Sequence, residues 1–149
     1  MKYKSLIATI AVLAAAATSA AADGPRIGQV KTASGEAEIV RDSARYAAKA
    51  GDPVYAKDVV ETGEHGSIGI SFVDNTVFSA GPNSQLALDQ FRFDAAGGEM
   101  LADMRRGTLS VVSGDITKKS PGALKIKTPS AVLGVRGTTF AVQVVGERR

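Results

Sequence analysis

Apolar positions along this chain alternate with polar ones in short runs. Ser67-Ile68-Gly69-Ile70-Ser71-Phe72 is the clearest run, with Ile68, Ile70 and Phe72 sharing one face, the pattern of a half-buried strand. Glu36-Ala37-Glu38-Ile39-Val40-Arg41 alternates as well. With Gly28 to Ser34 before it, it predicts two strands joined near Ser34-Gly35. Val54 to Thr62 reads as extended. Asp74-Asn75 supplies residues that tolerate a tight hairpin turn before Thr76-Val77-Phe78. Leu86-Ala87-Leu88 and Phe91-Arg92-Phe93 continue the alternation, Ala95-Ala96-Gly97-Gly98 reads as a flexible connector, and Gly107 to Val112 as a strand. Met100, Ala102 and Met104 fit period two; Met100, Leu101 and Met104 fit a helix. Gly98 and Gly107 leave room for only about two helical turns, which favours a strand. Lys118 to Gly122 reads as a loop, and Leu124-Lys125-Ile126-Lys127 alternates again. Local propensity allows one helical turn over Ala44–Ala50, which Gly51-Asp52-Pro53 would end. Turn signals come roughly every eight to twelve residues, an all-β pattern of short glycine-punctuated strands. Such strands suit a sandwich, a barrel or a solenoid.

The first residues belong to another regime. Met1-Lys2-Tyr3-Lys4 is basic, Leu6 to Ala17 is continuously apolar, and Ala20-Ala21-Ala22 precedes Asp23. This is the layout of a secretory signal peptide over residues 1–22. The apolar run is short of the about 20 residues a membrane span needs. Residues 23–149 are expected to form a single domain, periplasmic or secreted, with no membrane span after cleavage. Cleavage would also remove two lysines, so basic residues fall from 18 to 16 against 15 acidic ones and the net charge drops from +3 to +1. The basic pairs Arg105-Arg106, Lys118-Lys119 and Arg148-Arg149 are scattered and there is no Trp, which argues against a nucleic-acid partner. The chain has no cysteine. That excludes disulfides, thiolate metal sites and a thiol nucleophile.

The stretch Lys127 to Phe140 is densest in residues with narrow backbone demands. Pro129 fixes its own φ and pushes Thr128 towards extended geometry. Gly134 and Gly137 are free to take φ values closed to other residues. Arg136 stands between them in an apolar run, and a guanidinium there must reach water or be paired. Thr128-Pro129-Ser130-Ala131-Val132-Leu133-Gly134-Val135-Arg136-Gly137-Thr138-Thr139-Phe140 resembles the closing motif of FecR-type domains. The resemblance extends to Asp58-Val59-Val60-Glu61-Thr62-Gly63, to Gly66 through Thr76, to Gly81-Pro82-Asn83-Ser84-Gln85-Leu86-Ala87-Leu88 and to Gly107-Thr108-Leu109, so that about residues 27–145 are covered. Asn75 stands where the family usually has Gly. The resemblance implies a twisted β-solenoid-like or sandwich-like stack of short strands. It also marks Thr128, Pro129, Gly134, Arg136, Gly137, Thr138 and Phe140 as structural or partner-binding.

No catalytic, metal or cofactor residues are expected. His65 is the sole histidine and sits in a polar turn with no nucleophile at a suggestive spacing. No G-x-S-x-G, H-E-x-x-H or P-loop occurs. Asp74, Asn75 and Asp89 lack calcium-loop spacing and suit turns better. Arg136 is expected to lock the last turn by gripping backbone carbonyls or a carboxylate such as Asp52, Asp58 or Asp74; its alternative is to present a bidentate donor to an acidic partner. The expected function is a non-catalytic periplasmic module that binds another envelope protein by a strand edge or face. The alternatives are an accessory or regulator in receptor-to-sigma-factor signalling of the FecR kind, and a glycan- or peptidoglycan-binding module. Aromatics at 5% weigh against the last.

Overall fold

The computed structural model describes residues 24–137 and 139–145. The expected signal peptide and Thr138 lie outside the described residues. The described residues are all-β apart from one short helix. In order it forms β1 (Arg26–Ser34), β2 (Ala37–Arg41), β3 (Ala44–Ala47), β4 (Pro53–Tyr55), β5 (Val59–Thr62), β6 (Ser67–Phe72) and β7 (Val77–Ala80). Then come β8 (Gln85–Asp94), β9 (Gly97–Val112), α1 (Asp115–Lys119), β10 (Leu124–Lys127), β11 (Val132–Val135) and β12 (Thr139–Val144).

Everything hangs on β9. β7 and β8 both run antiparallel to it, β7 from Val77↔Val112 to Ala80↔Leu109 and β8 from Gln85↔Arg106 to Asp94↔Gly97. Together they form one long bent hairpin. β5, β2 and β3 extend the sheet beyond β8; β6, β1 and β4 extend it beyond β7. On the other side of β9, β10 pairs in parallel with Met100–Asp103 and carries β11, while β12 pairs antiparallel with Gly107–Val112. The result is one curled sheet in two halves that share β9. The first half-sheet has the order β3-β2-β5-β8-β9-β10-β11 and the second β4-β1-β6-β7-β9-β12. With one parallel pairing among many antiparallel ones, these are not the stacked parallel coils of a solenoid.

The two halves fold against each other over a single core. Ile27, Val30, Ile68, Ile70, Phe72, Phe78 and Val111 face in from the second half, and Ile39, Val60, Leu86, Leu88, Met100, Ala102 and Met104 from the first. Phe72 packs edge-on to Phe78 at 4.9 Å and stacks on Phe91 at 5.7 Å. The period-two reading of Met100–Met104 therefore holds.

Bending without losing the core face needs extra residues. Gln85 faces Arg106 and Leu86 faces Met104, so Arg105 bulges out; Leu88 faces Ala102 and Gln90 faces Leu101, so Asp89 does the same on β8. Each bulge resets which side chains point inward. At the bend Gly107 has φ +94°, and a Cβ there would come within 2.5 Å of the Ser84 Cα.

Two local expectations are corrected, and one local propensity is overridden. Ala44–Ala47 is a strand rather than a helical turn, because Asp42 and Ser43 both take positive φ (50° and 66°). That is the geometry of a two-residue hairpin, and pairing with β2 overrides alanine's helical preference. Ala95–Gly98 is no flexible connector: Ala95-Ala96 turns the chain, and Gly97 and Gly98 are buried at the start of β9. The first residues of the expected Lys118–Gly122 loop close α1. The junction at Ser34-Gly35, with Gly35 at φ +62°, and the turn at Asn75, with φ 68°, fall where the sequence places them.

Candidate functional site

Three buried polar nodes use the side chains that chemistry would otherwise draw on. At the bend, the Thr62 hydroxyl donates to Gly81 O (2.6 Å) and accepts the Ser84 N–H (2.9 Å). Ser84 Oγ accepts the Thr108 N–H (3.1 Å) and donates to Gly81 O (2.8 Å). This node ties β5, the β7–β8 turn and β9 together. At the second node Asp74, fully buried, accepts from Thr76 N–H (3.1 Å), Thr76 Oγ1–H (2.6 Å) and Ile116 N–H (3.2 Å). Thr76 Oγ1 in turn accepts the Gly114 N–H (3.1 Å). The β6–β7 hairpin is thereby fastened to the start of α1.

The third node is the one the sequence did not reveal. Arg41 forks onto Asp58, Nε to Oδ1 at 2.8 Å and Nη2 to Oδ2 at 2.7 Å, and the Tyr55 N–H donates to Oδ2 at 2.9 Å. The Asp58 hydrogen bonds hold the guanidinium pKa above its ordinary value against the opposing effect of burial. The Tyr55 ring lies 4.5 Å from the guanidinium carbon. Nothing in the local sequence around Arg41 singles it out, since its partner is 17 residues away and meets it only through the β2–β5 pairing.

The closing segment is built differently. Pro129 and Ser130 turn the chain between β10 and β11. Thr128 closes that turn: its N–H donates to Ala131 O (2.7 Å), and its Oγ1 accepts the Ala131 N–H (3.1 Å). Pro129, Ser130, Ala131, Val132, Gly134, Arg136 and Gly137 are exposed; Val135 is buried, and Phe140 is half-buried against the core opposite Val111. Gly134 and Gly137 do not take positive φ. Gly137 instead offers its carbonyl to the Ser113 hydroxyl. Arg136 does not grip the carboxylates considered for it. Asp58 holds Arg41, Asp74 holds the α1 node, and Asp52 accepts the Lys49 N–H at 2.8 Å. Among the described residues Arg136 makes no ion pair. Thus the structure brings Thr128, Pro129, Gly134 and Arg136 together on one exposed hairpin and sets Phe140 apart on β12.

His65 is exposed in its turn. Among the described residues no cluster of His, Asp and Glu is arranged to hold a metal ion. Asn75 uses its amide to reach Asp115 Oδ2 (3.1 Å), a bond that glycine at this position has no side chain to make.

A family model described as "FecR protein" matches residues 58–148. The chain belongs to the FecR family. The match starts at Asp58, so β1 to β4 and Arg41 precede it, although Arg41 completes the Asp58 node. Among solved structures, a "Cell surface anchoring domain" is 32% identical over 42% of this chain and 83% of its own, with a TM-score of 0.39. No curated protein matches the chain.

Proposed function

We propose that this FecR-family chain is a non-catalytic module of the cell envelope that works by binding another envelope protein. The observation that carries the reading is a set of free strand edges. β3, β4, β11 and β12 each pair on one side only among the described residues, and Val132 in β11 and Val145 just after β12 are 60% and 79% exposed. A free edge offers unpaired N–H and C=O groups, and strand addition is a common way for a protein to take a peptide. The buried Asp58, Asp74, Thr62, Thr76 and Ser84 are each engaged in the fold's own hydrogen bonds, which supports a non-catalytic role.

An envelope setting fits the family and the leader pattern of residues 1–22. Among the described residues no helix is long and apolar enough to cross a membrane. The test is intact mass of the protein from the periplasmic fraction, with cross-linking in the same cells. A chain starting at Asp23 and cross-linked to a protein partner is the expected result. A full-length, membrane-held chain, or cross-links confined to glycan, would overturn the proposal.

A further inference from the structure

Two of the free edges, β11 and β12, differ in charge. β12 carries none from Thr139 to Val145. β11 is flanked by cations: Lys125 and Lys127 face Gly134 and Val132 across the β10–β11 ladder, and Arg136 follows β11 directly. Strand alternation places Lys125, Lys127, Val132, Gly134 and Arg136 on the outward side, while Leu124, Ile126 and Val135 are buried. Among the described residues none of the three cations makes an ion pair. Asp103 lies in register beside Lys127, but its nearest cation is Arg105, at 3.6 Å.

The backbone at this edge is open. Thr128 N–H bonds Ala131 O at the hairpin end. Antiparallel alternation then turns the amides and carbonyls of Val132 and Gly134 away from β10, towards the free side. A Cβ on Gly134 would only touch the Gly122 backbone, its nearest atom at 3.8 Å, so there is room for a side chain at this point of the strand.

We infer that the outer edge of β11 accepts an extended, acidic segment of a partner protein as an added strand, its carboxylates set against Lys125, Lys127 and Arg136. This rests on the protein-binding reading above and names the surface and the partner's chemistry. Charge decides the occupant. A second copy of this chain would bring the same three cations against one another, whereas alternating carboxylates would meet each of them.

The test uses the full-length ¹⁵N-labelled protein and three synthetic peptides of about ten residues, enough to span a strand. One alternates Glu with Val, one Gln with Val, one Lys with Val. The Glu peptide is expected to slow amide exchange at Val132 and Gly134, to bind about tenfold more tightly than the Gln peptide, and to lose that advantage in high salt. The Lys peptide is expected not to bind. Replacing Lys125→Glu, Lys127→Glu and Arg136→Glu together should invert the preference. Should that variant fold poorly, the Glu-to-Gln comparison on the unaltered chain decides. Equal binding of the Glu and Gln peptides, or protection on β12 or β3 with none on β11, overturns the inference. If cross-linking in cells names a protein partner while β11 stays unprotected, the inference falls and the module reading stands. If no protein is cross-linked, the module reading itself falls.

Discussion

Asp58, Thr62, Asp74 and Ser84 are buried and spend their hydrogen bonds inside the molecule, whereas Pro129, Val132, Gly134 and Arg136 lie exposed on the β10–β11 hairpin. Both sets fall within the stretch matched by the FecR family. The first set solves the problem of bending one sheet over its own core. A bent ladder loses backbone partners at the bend, and buried N–H and C=O groups left open are costly. Short side chains with oxygen acceptors fill those gaps at the bend and at the start of α1. The second set solves no such problem. Thr128 closes its turn, and among the described residues the outer edge of β11 has no partner strand and its flanking cations no ion pair. A family signature is therefore not one kind of residue: part of it shapes the fold and part lies free on its surface.

That contrast is broken most easily at the bend. Gly107→Val adds a Cβ against the Ser84 backbone at a φ of +94°, and is expected to cost roughly 4 kcal/mol or more, read as a large drop in Tm or loss of folding. If the variant melts like the parent, the bend is not fixed by this close approach. Asp74→Ala comes next. It strips the acceptor from Thr76 and Ile116 N–H inside the core and is expected to cost about 3 kcal/mol in denaturant unfolding, because buried donors are left without partners. A loss no larger than that of an exposed Asp such as Asp94 would show that the node is not holding α1 in place.

A smaller effect should appear in acid. Glu61 is held below the usual value of 4.5 chiefly by its hydrogen bond from Arg45. A depressed carboxylate adds stability that is fully present above its unfolded pKa and fades as pH falls through the folded one. Stability is thus expected to decline as pH drops below about 4.5, and Glu61→Gln should flatten that part of the curve. The effect is modest because Arg45 is solvent-exposed and screened. The smallest effect is expected at Arg136→Lys. With no carboxylate gripped among the described residues, the change should leave Tm unmoved while weakening any acidic peptide that uses the planar fork. A clear fall in Tm would return Arg136 to a structural role and erase the contrast between the two sets.

Some of this was open to reading along the chain. The alternation in β2, β6, β8 and β10 set their inward faces, since a period of two leaves no choice once one side is apolar. Ser34-Gly35 and Asp74-Asn75 marked their turns through the backbone freedom of Gly and Asn. The Asp42-Ser43 hairpin was missed because neither residue forces positive φ; the neighbouring strand imposes it. β9 was split by the glycine at Gly107, which marks a bend within one strand rather than a boundary between two.

By itself the sequence determined the all-β class, the period of its strands, the absence of thiol chemistry and the FecR family. Each is written in side-chain type or local spacing. Only the tertiary structure decided that β9 would serve both half-sheets, that Asp58 would take Arg41 rather than Arg136, and that β11 would be left as a basic free edge. Those outcomes depend on which strands pair across long stretches of chain, and the energies of pairing, bulging and burial that choose among them belong to the assembled sheet.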